Sequence, residues 1–332
     1  MSKRLTVIEG HSTSPYENLA LEEWLLNHVA ADEVMLYLWQ NQHTVVIGKN
    51  QNAWKECNIT TLEADGGHLA RRLSGGGAVY HDLGNLNFTF IAQSAHYDVS
   101  KQTDVILNAL ASLGIAAEKR GRNDILVDGR KVSGNAFYEH KGRCYHHGTL
   151  LLNVDMNQMP RYLNVPKDKL QSKGVASVKA RVTNLVDVMP TLDVETLKKA
   201  LCDAFARVYE GERGQMSVAC VPKDEWQALV SQYEEWAWNY GRKFRFDRAL
   251  GKRFAWGRVD LEVQVEGGIV SDAQVYSDAL IPDLVDQLAL AILGKRYNNE
   301  ALASAVQNLA VQGDNEAAAR EDLCMWLLTV EC

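Results

Sequence analysis

The chain has 332 residues, 46% hydrophobic and 23% charged, with 42 Asp and Glu against 35 Lys and Arg for a net charge of −7. That length suits about two domains of ordinary size, and that composition supplies a core, which excludes global disorder. The acidic balance argues against non-specific binding to nucleic acid or to an anionic membrane, since both need a basic field.

The first helix is announced by Ser14-Pro15-Tyr16-Glu17, a capping box with proline at the first helical position. Leu21, Trp24, Leu25 and Val29 then share one face. Val34 to Trp39 and Thr44 to Ile47 read as strands joined by a polar Asn41-Gln42 turn, and Thr103 to Leu113 as an amphipathic helix ended by Gly114. Asp128-Gly129 lies between two short strand patterns and is a hairpin signal. A two-residue turn there pairs Lys131 with Leu126 and Ser133 with Asp124. Alternation then puts Lys131, Ser133 and Asp124 on one face and Ile125, Val127 and Val132 on the other. A strand from Cys144 to Asn153 and helices over Asp193 to Tyr209 and Asp224 to Trp236 follow. Asn239 to Gly251, charged and flanked by glycine, marks a domain boundary. Beyond it, alternating Val259, Leu261, Val263 and Val265, a Gly267-Gly268 turn and Ile269 to Tyr276 predict a second hairpin, with two or three helices to the end.

No stretch approaches the roughly 18 apolar residues of a membrane span, and the N-terminus lacks a signal-peptide pattern. Cys57, Cys144, Cys202, Cys220, Cys324 and Cys332 show no CxxC and no zinc spacing, so they read as free thiols in a reducing compartment. A cytoplasmic protein is expected.

The densest chemical cluster runs from Arg71 to Asp82. Three consecutive glycines are costly to order, and one reason to keep them is close approach of backbone N–H groups to an anion. Arg71 and Arg72 add charge-assisted donors for phosphate or carboxylate. The bland alternative is a surface turn with a solvated arginine pair. A second cluster, Gly121-Arg122-Asn123-Asp124 followed by Lys131, could serve magnesium, ribose hydroxyls or two anionic groups at once. Its bland alternative is an exposed lysine on an ordinary hairpin. His146 and His147 are adjacent on a strand and point to opposite faces, which suits packing or substrate lining better than chelation. Lys167 to Arg181 is a basic patch that composition alone would leave as a solvated loop. Neither a G-x-S-x-G elbow nor a Walker A lysine motif is present.

Together, LARRLSGGGAVYHDLGNLNFTF (69–90), GRNDILVDGRKVSGNAFYEHKGRCYHHGTLLLNVD (121–155), KGVASVKARVTNL (173–185) and TVVIGKNQNAWKECN (44–58) resemble the lipoate–protein ligase A family. The matches cover most of the first three quarters of the chain, in the family's order. The resemblance implies an α+β fold: a mixed, mainly antiparallel sheet with flanking helices, as in class II aminoacyl-tRNA synthetases and biotin ligases. It implies a catalytic domain over residues 1–242, a linker at 243–252 and an α+β accessory domain at 253–332. It implies ATP-dependent formation of lipoyl-AMP, then transfer of the lipoyl group to a lysine ε-amine. Carriers would be apo lipoyl domains of 2-oxoacid dehydrogenase E2 subunits and the glycine cleavage H protein, with no nucleic acid or membrane partner.

Carried over by motif, Lys131 is the catalytic residue, contacting both the acyl carboxylate and the α-phosphate. Arg72, Gly77, Ala78, Val79, Tyr80, Asn123 and Asp124 fall at ATP-binding positions, with Asp124 also the candidate magnesium ligand. Arg71, Ser74, Gly75, Gly76, His81, His147 and Gly148 fall beside lipoate. Lys173, Ser177, Val178 and Arg181 lie in the loop that covers the adenylate. ATP, magnesium and lipoate are thus the expected ligands, with no tightly bound prosthetic group. Strand alternation suggests Trp39, Val79, Phe88 and Phe90 as walls of the apolar lipoate tunnel. A transferase working through a cysteine acyl-enzyme is the main alternative, and Cys144 is the one cysteine inside the central motifs. A biotin ligase fits the RRxSGGGAVYHD form less well, and a non-catalytic lipoate-sensing protein would not need Lys131.

Overall fold

The computed structural model describes residues 4–121, 123–164, 182–211, 213–241 and 246–330. The chain divides into two compact units: residues 1–46, 56–71 and 79–239 form the first, and residues 47–55, 72–78 and 240–332 the second.

The strands of the first unit are β1 (Arg4–Glu9), β2 (Glu33–Trp39), β3 (Thr44–Ile47), β4 (His68–Arg71), β5 (Ala78–His81), β6 (Asn85–Gln93), β7 (Ala117–Arg120), β8 (Asp124–Val127), β9 (Arg130–His140), β10 (Arg143–Leu151) and β11 (Arg213–Gln215). Its helices are α1 (Pro15–His28), α2 (Ala53–Glu56), α3 (Ile59–Ala64), α4 (Val99–Ser112), α5 (Met159–Tyr162), α6 (Val194–Tyr209), α7 (Lys223–Glu234) and α8 (Trp236–Tyr240); β3, β5, α2 and α8 each straddle a unit limit. An eight-stranded sheet runs β11-β1-β2-β6-β10-β9-β8-β7. Only β11-β1 and β1-β2 are parallel, so the sheet is mixed and mainly antiparallel. Strands β4-β3-β5 make a smaller sheet.

Alternation assigns the two faces. Val34, Leu36 and Leu38 of β2 join Phe88, Phe90 and Ala92 of β6 in a fully buried cluster with Val105, Ile106, Ala109 and Leu110 of α4 and Leu197, Leu201 and Phe205 of α6. The other face receives α1. Its N-cap Ser14 accepts from the Glu17 amide, with Pro15 opening the helix as expected. Tyr37 donates to Asn18 Oδ1 at 3.0 Å and Thr89 to Glu22 Oε1 at 2.7 Å, which ties α1 to that face. Leu21, Trp24, Leu25 and Val29 are all buried.

The second unit carries an antiparallel sheet of β12 (Arg248–Phe254), β13 (Gly257–Glu266) and β14 (Ile269–Ser277). Gly267 and Gly268 both take positive φ at the β13–β14 turn, as their sequence suggests. Strand β12 is one that periodicity does not reveal. Val259, Leu261 and Val263 pack on α9 (Pro282–Ile292), α10 (Asn299–Gln307) and α11 (Gly313–Leu327). Among the described residues no helix is long and apolar enough to cross a membrane.

Candidate functional site

Asp128 (φ 50°) and Gly129 (φ 71°) form the tight turn joining β8 to β9. Val127 faces Arg130 and Leu126 faces Lys131, as expected, but the register then slips: Ile125 faces Ser133 and Asp124 faces Gly134. The expected Asp124–Ser133 pairing is therefore corrected by one residue. The extra residue is Val132, and the cause is the core. Val132 and Ser133 are both fully buried, and a bulge lets consecutive side chains turn inward. Lys131 and Asp124 still emerge together, with Nζ 2.6 Å from Oδ1. Gly134 makes room for the lysine, since a Cβ there would stand 3.0 Å from Nζ. The main chain of Lys131 is held on its far side as well: it bridges Val182, and the Thr183 amide donates to its carbonyl at 3.0 Å. The backbone is thus clamped while the side chain remains about a third exposed. Asn123 is engaged with β9, its side-chain amide donating to the Asn135 carbonyl at 3.2 Å.

The glycine loop winds around an arginine. Arg72 Nη2 donates to the carbonyls of Gly75 (2.8 Å) and Gly77 (2.9 Å), and Nε to Ser74 Oγ at 3.1 Å. Gly76 has φ 96°, which a side chain would oppose. Arg71 Nε donates to the Trp238 carbonyl at 2.7 Å and its Nη2 to the Asn239 carbonyl at 2.8 Å. Both arginines are buried, so the solvated-turn alternative fails. Val79 is half-buried; Tyr80 is buried with its ring against Tyr162 and His43, and burial raises its phenol pKa. Arg72 to Ala78 belong to the second unit; Lys131, Asp124, Arg71, Val79, Tyr80 and His81 to the first.

The lipoyl protein ligase A/B catalytic domain family matches residues 14–206, and the bacterial lipoate protein ligase C-terminus matches residues 243–327. The chain belongs to the lipoyl protein ligase A/B family. Among solved structures, it is similar to LipL1 of P. falciparum in complex with lipoate, at 31% identity and TM-score 0.86 over 99% of this chain and 100% of that one. It is also similar to a lipoate-protein ligase A bound with ATP (26% identity, TM-score 0.62, 73% and 99% covered). A third is the bi-partite lipoate protein ligase of Thermoplasma acidophilum, whose structure was analysed with its E2 lipoyl domain (25% identity, TM-score 0.63, 75% and 100% covered).

Several side chains of this lipoyl ligase family member lie on the α1 face of the sheet. His147 Nδ1 stands 2.9 Å from Glu22 Oε1, which also accepts from Thr89 Oγ1, itself the acceptor for Trp39 Nε1 at 3.0 Å. Sequence reasoning missed Glu22; the available signal was an acid set among Leu19, Leu25 and Leu26 at helical spacing, with Asn18 as its polar neighbour on that face. His81 is buried, with Nδ1 3.2 Å from Asn41 Nδ2. Phe88 and Phe90 point to the opposite face, into the helix-packed core, so they cannot form one tunnel wall with Trp39. Gly148 sits on the Phe88 face, where a Cβ would come 2.5 Å from Phe88 Cζ. His146 is buried there too, with Nε2 2.8 Å from Asn135 Oδ1 and Nδ1 3.1 Å from Gln102 Oε1, and burial lowers its pKa to about 3.

Cys144 follows His146 and Gly148 onto that same core face, away from His147. It is buried, and burial raises its thiol pKa despite a contact to Ser94 Oγ at 3.4 Å. Lys173, Ser177, Val178 and Arg181 lie outside the described residues. Among the described residues no group of three or more His, Cys, Asp or Glu is arranged for a metal ion.

Proposed function

We propose that this protein is an ATP-dependent lipoate–protein ligase that forms lipoyl-AMP and passes the lipoyl group to a lysine of a lipoyl domain. The observation that carries the reading is Lys131: a cation whose backbone is clamped on both sides while its side chain, with the ammonium beside Asp124, stays partly exposed. A purely structural lysine has no need of that arrangement. In the first step a lipoate carboxylate oxygen attacks the α-phosphorus of ATP, and the bond to pyrophosphate breaks. Lys131 would offset the charge gathered between carboxylate and phosphate. In the second step a carrier ε-amine attacks the acyl carbon, loses a proton, and AMP leaves. Both nucleophiles belong to substrates, so the enzyme contributes positioning and fixed charge rather than a reactive side chain.

Magnesium needs few protein ligands when phosphates and water complete its six oxygens, so Asp124 is a sufficient carboxylate. When bound there, the ion would supply further charge neutralisation to the phosphates. Arg72 with Gly77–Tyr80 and Asn123 are proposed to border the nucleotide. Arg71, Ser74–Gly76, His81, His147 and Gly148 are proposed to border lipoate, with Arg71 and Gly148 acting by holding backbone in place. The proposed catalytic domain spans residues 1–242 and the accessory domain 253–332. Carriers are proposed to be E2 lipoyl domains and the glycine cleavage H protein, and the compartment the cytoplasm.

The acyl-enzyme alternative is disfavoured by Cys144, whose thiol is buried on the opposite sheet face from His147 and is less acidic than usual. Lipoate-dependent exchange of labelled pyrophosphate into ATP tests the proposal. Exchange only with lipoate present supports it; no exchange in an enzyme that still acylates carriers from an acyl donor would refute it.

A further inference from the structure

Residues 48–50 cross the glycine loop and carry a cation that no role has yet been given. The crossing is fixed at the main chain: Arg72 N donates to Ile47 O (3.0 Å), Lys49 N to Ser74 O (2.9 Å) and Gly48 N to Gly77 O (3.2 Å). It is so close that a Cβ on Gly48 would stand 2.2 Å from Gly76 O. Lys49 is therefore registered to the loop whatever its side chain does.

Its ammonium reaches Asp286 at 2.7 Å and Asp283 at 3.3 Å, both near the start of α9. Asn50 Nδ2 donates to Asp286 Oδ1 at 2.7 Å, and the Ser277 amide donates to the Asn50 carbonyl at 2.8 Å. The loop's own amide is met from the same segment: Gly76 N donates to Ala279 O at 3.2 Å. A Cβ on Gly75 would stand 2.1 Å from that carbonyl oxygen. Two donors suited to an anion, the Lys49 ammonium and the Gly76 N–H, are thus both filled by acceptors from the single stretch Ala279–Asp286. These acceptors are two carboxylates and one carbonyl, and phosphate oxygens can accept from the same two donors.

We propose that Lys49 is a further nucleotide-binding residue, and that Asp283 and Asp286 occupy its ammonium until the phosphates of ATP displace them. This rests on the ligase reading above. The carboxylates are replaceable partners. Their side chains are 39% and 45% exposed against 20% for the lysine, so water can take over from the lysine at the carboxylates, and a helix N-terminus stabilises Asp283 without it. A phosphate chain brings more charge to the same ammonium. If instead the pair merely fastens α9 to the loop, removing the carboxylates gives ATP nothing.

The test is calorimetric binding of magnesium-ATP, and separately of lipoate, to the full chain. Lys49→Ala should weaken ATP about tenfold, the scale of one lost hydrogen bond to a charged group, and leave lipoate affinity unchanged. Lys49→Arg, which keeps the charge, should stay much closer to wild type. Asp283→Asn with Asp286→Asn should tighten ATP about two- to fivefold, because the competing partner is gone. A thermal melt of each variant confirms that it is folded, and the Lys49→Arg and asparagine variants carry the test if Lys49→Ala is not. Wild-type ATP affinity in Lys49→Ala, or unchanged or weaker affinity in the asparagine variant, would overturn this proposal alone. A wild-type chain that binds no ATP would overturn the ligase reading and this proposal with it.

Discussion

Replacing Lys131 by methionine separates a structural lysine from a chemical one, because the two roles predict effects of different size. The Nζ–Oδ1 distance to Asp124 is short at 2.6 Å, but the two side chains are 34% and 38% exposed. Ion pairs so placed contribute at most about 1 kcal/mol, and methionine keeps most of the aliphatic stem. The variant should therefore melt within about 2–4 °C of wild type. If the ammonium stabilises charge between lipoate and ATP, its loss should slow lipoate-dependent pyrophosphate exchange by about 10²–10³-fold, as for loss of one preorganised donor. The two quantities are measured on one preparation, by thermal or urea denaturation and by exchange. Exchange within a few-fold of wild type would refute the chemical role. A stability loss large enough to unfold the variant would show that the lysine is structural.

Cys144→Ser should leave ligation essentially unchanged, as read by carrier acylation; near-complete loss would favour a cysteine acyl-enzyme. Gly148→Ala should destabilise the first unit by about 1–3 kcal/mol in urea denaturation, because the new methyl meets Phe88 and the rigid Gly134 carbonyl; an unchanged midpoint would refute the tight crossing. His146 gives a pH signature. Its folded pKa of about 3 lies below its ordinary 6.5, so the native state favours the neutral ring. That contribution is complete above about pH 6.5 and is lost as pH falls towards 3, by up to about 4 kcal/mol. His146→Gln should show a flatter stability profile across that window, and an identical profile would contradict the assignment.

Local signals in the sequence were enough for much of this architecture. The Ser14 cap, the Asp128-Gly129 turn and the alternation of β13 each involve residues a few positions apart, and each forms where expected. Longer-range demands were not legible. The bulge at Val132 answers to the core under α4, not to the hairpin. Arg71 spends its guanidinium on the main chain of Trp238 and Asn239, and nothing near Arg71 announces those acceptors. Phe88 and Trp39 are both aromatic strand residues, and only the pairing of β2 with β6 shows that they face opposite ways. Glu22 becomes meaningful only when β10 brings His147 beneath it. Motif resemblance reached further than periodicity because it carries such long-range constraints implicitly.

The central claim is that a fixed ammonium helps join lipoate to AMP before an amine collects the acyl group. Mass spectrometry of an apo lipoyl domain, incubated with the enzyme, magnesium, ATP and lipoate, examines it most directly. One lipoyl group should be added to a single lysine, with no addition when ATP is omitted and a rate of addition about 10²–10³-fold lower when Lys131→Met replaces the wild-type enzyme. Addition that proceeds equally well without ATP, or with Lys131→Met, would contradict the account.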